Sequence, residues 1–361
     1  MASGDDVREN VKKYYGSMLE STCDLKTSAS TCSLSCRTVQ SVSDALSLVH
    51  PEVTKKFFGC GLPFPAKLEG CKVLDLGSGY GRDCFAFSKL VGPSGHVTGI
   101  DMTEDLVRTS RQYIEYHQEK FGYKEPNVTF VQGYMEKLSE AGIQNGSMDV
   151  LLSNCVICLC ADKRAVLQQA YNALKEGGEL YFSDMYASKV IPDHMKQDPV
   201  LWGEGMGGSL FWQDFISLAQ SVGFSTPRLV SASRIVIYNS ELKEKAGDIS
   251  YASATYRLFK LPETSVLSAA TVTYKGTVAG FPDQLDFDSI HSFKKDVVTE
   301  VDGEMAAILQ NSRFCSDFQI QISDQPTQTC TASTKQICHL SPFLLADRVG
   351  SSIKQCSKTG K

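Results

Sequence analysis

Three glycines and two carboxylates are spaced to hold a small ligand. In Lys72-Val73-Leu74-Asp75-Leu76-Gly77-Ser78-Gly79-Tyr80-Gly81-Arg82-Asp83, an apolar run of strand length feeds a glycine turn, and a helix-like stretch follows. Glycines at 77, 79 and 81 let the backbone turn sharply and press against a ligand with no Cβ in the way. Asp75 precedes the first glycine by two residues. Asp101 closes a second apolar run, 96–101, roughly twenty residues further on, where a carboxylate can hold both hydroxyls of a ribose. The other reactive side chains are thiols. There are thirteen cysteines, an odd number, and three of them fall in Cys155-Val156-Ile157-Cys158-Leu159-Cys160.

The elements that must position these groups alternate. Strands are expected at 72–76, 96–101, 128–131, 148–152 and 179–183, separated by helices of ten to fifteen residues. Thr103, followed by Glu104 and Asp105, reads as one helix cap, and Asp162 as another. Strands separated by helices imply right-handed crossovers and a mostly parallel sheet. Residues 1–66 contain a polar helix, a Ser/Thr/Cys-rich loop and the turn Phe57-Phe58-Gly59-Cys60-Gly61, and are expected to form a lid over the strands' carboxyl ends. Residues 67–245 form the α/β domain. Alternation in Tyr256-Arg257-Leu258-Phe259 and Ala270-Thr271-Val272-Thr273-Tyr274 suggests a small β-rich domain over 246–322. Residues 323–361, rich in Gln, Thr, Ser and Lys, are expected to be a disordered tail.

Composition narrows the function. The chain has 361 residues, 42% hydrophobic and 21% charged, as in an ordinary globular protein of two domains or slightly more. A net charge of −5 without a basic stripe argues against nucleic acid. No apolar run approaches a membrane span, and no targeting segment stands at the acidic start, so a cytosolic protein with free thiols is expected. Cys71 and Cys84 read as small buried hydrophobes. The six histidines are scattered, and no zinc spacing appears.

The short glycine turn with Asp75 resembles motif I of the S-adenosylmethionine (SAM) methyltransferases, which implies a Rossmann-like class I fold. A narrower resemblance rests on Tyr14-Tyr15-Gly16, Phe58-Gly59-Cys60-Gly61-Leu62, Gly99-Ile100-Asp101-Met102-Thr103, Gly133-Tyr134-Met135-Glu136-Lys137-Leu138, Ser153-Asn154-Cys155-Val156 and Gly178-Glu179-Leu180-Tyr181-Phe182-Ser183-Asp184. In this order, together with Ala306-Ala307-Ile308-Leu309, they resemble the animal arsenite methyltransferases from about Val11 to Phe318.

That resemblance implies transfer of methyl groups from SAM to thiol-bound trivalent arsenic. A soft ion prefers sulfur ligands, and arsenic held by three thiolates keeps a lone pair. It also implies a reductant, glutathione or a thioredoxin system, and a monomeric enzyme. The family's arsenic-binding and redox cysteines correspond here to Cys32, Cys60 and Cys155. Asp75, Gly77, Gly79 and Gly81 would frame the methionine end of SAM and Asp101 its ribose. Met102, Met135 and Glu136 would border the adenine. Asn154 and Val156 would line the pocket through their backbones, and Tyr15 would cover the amino-acid end.

Two departures matter. Phe57-Phe58 stands where the family often has tyrosines. Gly203-Glu204-Gly205 replaces the family's Gly-Glu-Cys, which removes one expected arsenic ligand. The third sulfur is then left to Cys158 or to a small thiol. The spacing favours the small thiol, because a residue three positions from Cys155 needs a particular turn to reach the same atom. Two alternatives stay open: SAM-dependent methylation of another small thiol or organic acceptor, and a metalloid-binding relative that turns over poorly.

Overall fold

The computed structural model describes residues 4–15, 26–28, 39–323 and 338–350, with the last helix continuing to Cys356. Its centre is a sheet of order β3-β2-β1-β4-β5-β8-β7. The strands are β1 (Lys72–Leu76), β2 (His96–Asp101), β3 (Val128–Gln132), β4 (Met148–Asn154), β5 (Leu174–Ala187), β6 (Leu210–Phe211), β7 (Arg228–Arg234) and β8 (Tyr251–Phe259). β1 to β5 run parallel, β6 pairs with the end of β5, and β8 runs antiparallel between β5 and β7. Val73, Leu74 and Leu76 have no exposure, as befits a parallel strand covered by helices on both faces. The strand order reverses between β1 and β4, and the carboxyl ends of those strands open a crevice there. The Rossmann-like expectation is thus met. Asp162 caps its helix, accepting from Ala165 N at 2.9 Å. Thr103 occupies the N-cap position of the earlier helix Glu104–Gln112 but makes no side-chain cap bond. No helix among the described residues is long and apolar enough to cross a membrane.

The C-terminal unit has a three-stranded sheet of order β12-β9-β13, from β9 (Ala270–Tyr274), β12 (Val298–Val301) and β13 (Phe318–Ile322). A hairpin of β10 (Gln284–Asp286) and β11 (Ser292–Lys294) and the helix Gly303–Asn311 complete it.

Two boundaries differ from the sequence expectation. β8, assigned to the small domain, is a strand of the main sheet, and every one of its residues is buried. The misreading came from Arg257, whose charge suggested an exposed face. Its guanidinium instead bonds Glu179 at 3.0 Å and lies 3.7 Å from the centre of the Phe287 ring. Arg313, from the C-terminal unit, pairs with the same carboxylate. Burial alone would raise the Glu179 pKa, but the two guanidiniums outweigh it and hold the carboxyl low.

The tail expectation fails for residues 338–350. Leu340, Phe343 and Leu345 are buried in the core of the main domain. Tyr256 donates its hydroxyl to Leu340 O at 2.7 Å, and Arg234 pairs with Asp347 at 2.7 Å. The apolar run Leu340-Ser341-Pro342-Phe343-Leu344-Leu345, with proline at the helix start, lay inside an otherwise polar composition.

Candidate active site

A cavity open to solvent occupies the crevice at the ends of β1, β2 and β4. Its floor is the glycine turn. Gly77 (φ +73°) lies so close to Val156 that a Cβ would come within 2.5 Å of that side chain. A Cβ on Gly79 (φ +52°) would meet nothing within 4 Å, so its backbone faces open space. Asp101 holds this turn as well as facing the cavity: Oδ2 accepts from Gly79 N at 3.0 Å and Oδ1 from Thr103 N at 2.9 Å. Burial raises its pKa, and the two backbone N–H groups partly offset the rise. Gly81, expected in the cradle, is not on the cavity wall. It starts the helix Arg82–Val91 at φ +84°, and a Cβ there would come within 2.7 Å of the Phe130 ring.

Asp75, Met102, Met135, Glu136, Asn154, Val156 and Tyr15 all line the cavity. Asp75 is buried beside Asp83 and accepts from Cys84 Sγ at 3.1 Å. Burial, then the charge of Asp83, pushes its pKa up to about 7. The carboxylates of Asp75, Asp83, Asp101 and Glu136 line the cavity together with Arg8, Lys56 and Arg82, which suits a ligand carrying a sulfonium, an ammonium and a carboxylate, and the open backbone at Gly79 suits its close approach. The cavity therefore fits SAM.

The helix Gly4–Lys13 closes one side. Arg8 pairs with Glu136 at 3.3 Å, and Lys12 bonds the Tyr134 hydroxyl at 3.1 Å. Tyr14 donates to the buried Glu204 at 2.7 Å and Tyr15 to Gly203 O at 2.9 Å, so the end of this segment is tied to the turn that carries Gly205. Asp83, Arg8 and Glu204 were not singled out in the sequence. Asp83 had a signal in its place two residues after the glycine turn, and Glu204 in the Gly203-Glu204-Gly205 segment; Arg8 had none.

Thiols converge at the inner end. Cys155 follows β4 in the left-handed region (φ +61°), a costly conformation for a residue with a side chain. It packs against the clusters that hold Cys60 and Cys158, and those neighbouring thiols together with burial raise its pKa. The sulfurs of Cys155 and Cys158 and a carboxylate oxygen of Asp184 lie within 4.8 Å of one another. The neighbouring thiol of Cys155 lowers the Cys158 pKa, but burial and Asp184 outweigh it and push it up to about 11. Soft ions bind thiolates, so loading this cluster releases protons. Cys60 is buried on a turn whose Gly59 and Gly61 press against Asn154 and Ser183. Asn154 acts through its side chain as well as lining the cavity: Oδ1 accepts from Cys60 N at 3.0 Å. Cys32 lies outside the described residues. No disulfide joins the described cysteines, all of which are free thiols.

A Rossmann-like sheet, a glycine turn held by Asp101 and a cavity that suits a sulfonium ligand define a SAM-dependent methyltransferase. Residues 67–226 match the family described as a methyltransferase domain, and residues 268–361 the arsenite methyltransferase C-terminal domain. The mouse arsenite methyltransferase is 50% identical over 315 residues, 87% of this chain and 83% of its own length. The human one is 46% identical over 355 residues, 97% and 94% of the two chains. The crystal structure of an arsenic(III) S-adenosylmethionine methyltransferase from Chlamydomonas reinhardtii superposes with a TM-score of 0.76 at 41% identity, covering 79% of this chain and 97% of that one. The chain belongs to the arsenite methyltransferase family.

Proposed function

We propose that this protein methylates trivalent arsenic held on the thiols of Cys60 and Cys155, with SAM as donor. The observation that carries this reading is the position of Cys155. It lines the SAM cavity and also packs against the clusters that hold Cys60 and Cys158, so an arsenic atom bound there borders the donor's site. SAM, when bound, supplies a methyl carbon on a positively charged sulfur.

The chain's residues bind and orient. Asp101 and the backbone of Gly79 hold the ribose side, Asp75 the cationic amino-acid end, and Met102, Met135 and Glu136 the adenine. Cys60 and Cys155 bind arsenic so that its lone pair faces the cavity. Tyr15 and Phe58, whose rings meet edge to face at 5.5 Å, shield the reacting atoms from water. A lone pair needs no general base.

Methylation raises arsenic formally from the trivalent to the pentavalent state. A further round therefore needs two electrons, supplied when two thiols close to a disulfide. Cys32 and an external thiol, glutathione or a thioredoxin-type protein, fill that role in this reading, and the enzyme acts as a monomer in the cytosol. The test is methyl transfer from radiolabelled SAM with arsenite and glutathione, products separated. Label is expected in methylated arsenicals; label confined to the thiol, or none transferred, overturns the reading.

A further inference from the structure

Resting on that reading, we propose that the third sulfur of the arsenic site is Cys158, which stands in the space that a side chain at position 205 would face. An ion bound by two protein sulfurs needs one more to complete a pyramid. Gly205 cannot supply it. A Cβ built on Gly205 points at Cys158: it would lie 3.2 Å from Cys158 Sγ, and from Met185 only at 3.5 Å or more. The sulfur has thus entered the same place from the opposite wall.

The turn that this requires is present. Cys155 at φ +61° reverses the chain, and Val156 (φ −123°, ψ −33°) leads into the single helical turn Ile157–Leu159. Cys158 is thereby folded back until its sulfur lies within 4.8 Å of that of Cys155.

Cys158 is also held rigidly. Its N–H donates to Asp184 Oδ2 at 3.0 Å, and the other oxygen of Asp184 accepts from Met185 N at 2.7 Å. Trp202 Nε1 donates to Leu159 O at 2.9 Å. Gly208 lies against the Cys158 carbonyl so closely that a Cβ would come within 1.9 Å of its oxygen, which ties the 203–209 loop to the turn. Only 3% exposed, the thiol pays little entropy on binding an ion. A cysteine that merely filled the core would need neither its sulfur beside Cys155 nor the strained residue that brings it there.

The experiment is arsenic K-edge X-ray absorption of the full chain loaded with one equivalent of arsenite, without added thiol, alongside an arsenite titration. Wild type is expected to show three sulfur neighbours. Cys158→Ser is expected to show two, to bind arsenite on the order of tenfold or more weakly, and to regain a third sulfur when glutathione is added. SAM affinity, measured on the same samples, reports that the variant is folded. If Cys158→Ser does not fold, Cys158→Ala replaces it, and two sulfurs are expected. Three sulfurs in Cys158→Ser without thiol, or two in wild type, overturns the assignment. Cys60→Ser and Cys155→Ser separate the underlying reading: if neither lowers the sulfur count, the thiol site itself is wrong, whatever Cys158 does.

Discussion

The side-chain amide of Asn154 and the backbone around Cys60 form a closed set of hydrogen bonds. Oδ1 accepts from Cys60 N at 3.0 Å and Gly61 N at 3.1 Å, while Nδ2 donates to Gly61 O and to Asp83 Oδ2, each at 3.0 Å. An amide has two N–H donors and two lone pairs on oxygen, so its capacity is used in full. The residue that precedes Cys155 therefore positions Cys60, although the two lie 94 residues apart. The clamp also reaches the cavity wall through Asp83.

Removing the clamp should separate the two thiols. Asn154→Ala leaves buried backbone N–H groups unpaired, a loss of about 1–3 kcal/mol for each such group. Arsenite affinity is expected to fall about tenfold, with a lower midpoint of denaturant unfolding. Asn154→Asp should be worse, because it sets a carboxylate oxygen against Gly61 O and Asp83. Wild-type arsenite affinity in Asn154→Ala would show that Cys60 needs no clamp.

Asp101→Asn should weaken SAM far more than arsenite. Charge-assisted hydrogen bonds contribute about 1.5–3 kcal/mol, or roughly ten- to a hundredfold in affinity. The asparagine keeps one acceptor but turns its NH2 towards the N–H of Gly79 or Thr103, so a loss of about 1–3 kcal/mol in stability is also expected, and both affinities are compared well below the melting temperature. Alanine is the poorer test, since Gly79 N and Thr103 N both lose their partner. Calorimetric titration of each ligand checks the separation, and equal losses for both would refute it.

SAM affinity should rise with pH up to about 7 and level off above. Asp75 has an ordinary pKa of 3.8, raised to about 7 by burial and then by Asp83. Below that point the folded carboxyl is protonated, and a cationic ligand favours its ionised form, so binding expels a proton. The same shift means that this group's contribution to stability falls as pH rises from 3.8 towards about 7. SAM titrations across that range should show the slope in wild type and a flat profile in Asp75→Asn. A slope unchanged in the variant assigns the proton elsewhere.

Truncation after residue 337 should destabilise the main domain. Leu340, Phe343 and Leu345 are buried in its core, and burying each such side chain contributes about 1.5–3 kcal/mol, as an upper estimate. A loss of roughly 5 kcal/mol is expected, read as a lower melting temperature. Since none of these residues touches the cavity, SAM affinity measured well below that temperature should be retained. A truncated chain as stable as wild type would remove the last helix from the core.

Much of the site was legible because local sequence dictates it. A glycine turn between an apolar strand and a helix, followed by a second strand ending in a carboxylate, leaves few folds open. Asp75, Gly77, Gly79, Asp101, Met102, Met135 and Glu136 all border one cavity. Gly81 shows the limit: its type follows from a positive φ beside the Phe130 ring, a packing demand indistinguishable in sequence from ligand approach. Arg257 shows another, since its burial depends on Glu179 and Phe287, which no local pattern reveals.

By itself the sequence determined the order of strands and helices, the ligand-binding turn and the cysteines that border it, because these depend on neighbours in the chain. Which thiols lie close together was decided only by tertiary structure. Cys60 reaches Cys155 through the Asn154 amide. Cys158 reaches it through a left-handed residue and a carboxylate from the next strand. Spacing along the chain argued against Cys158, but a single reversed φ brings two sulfurs together, and reversal at a non-glycine residue persists only where surrounding contacts hold it.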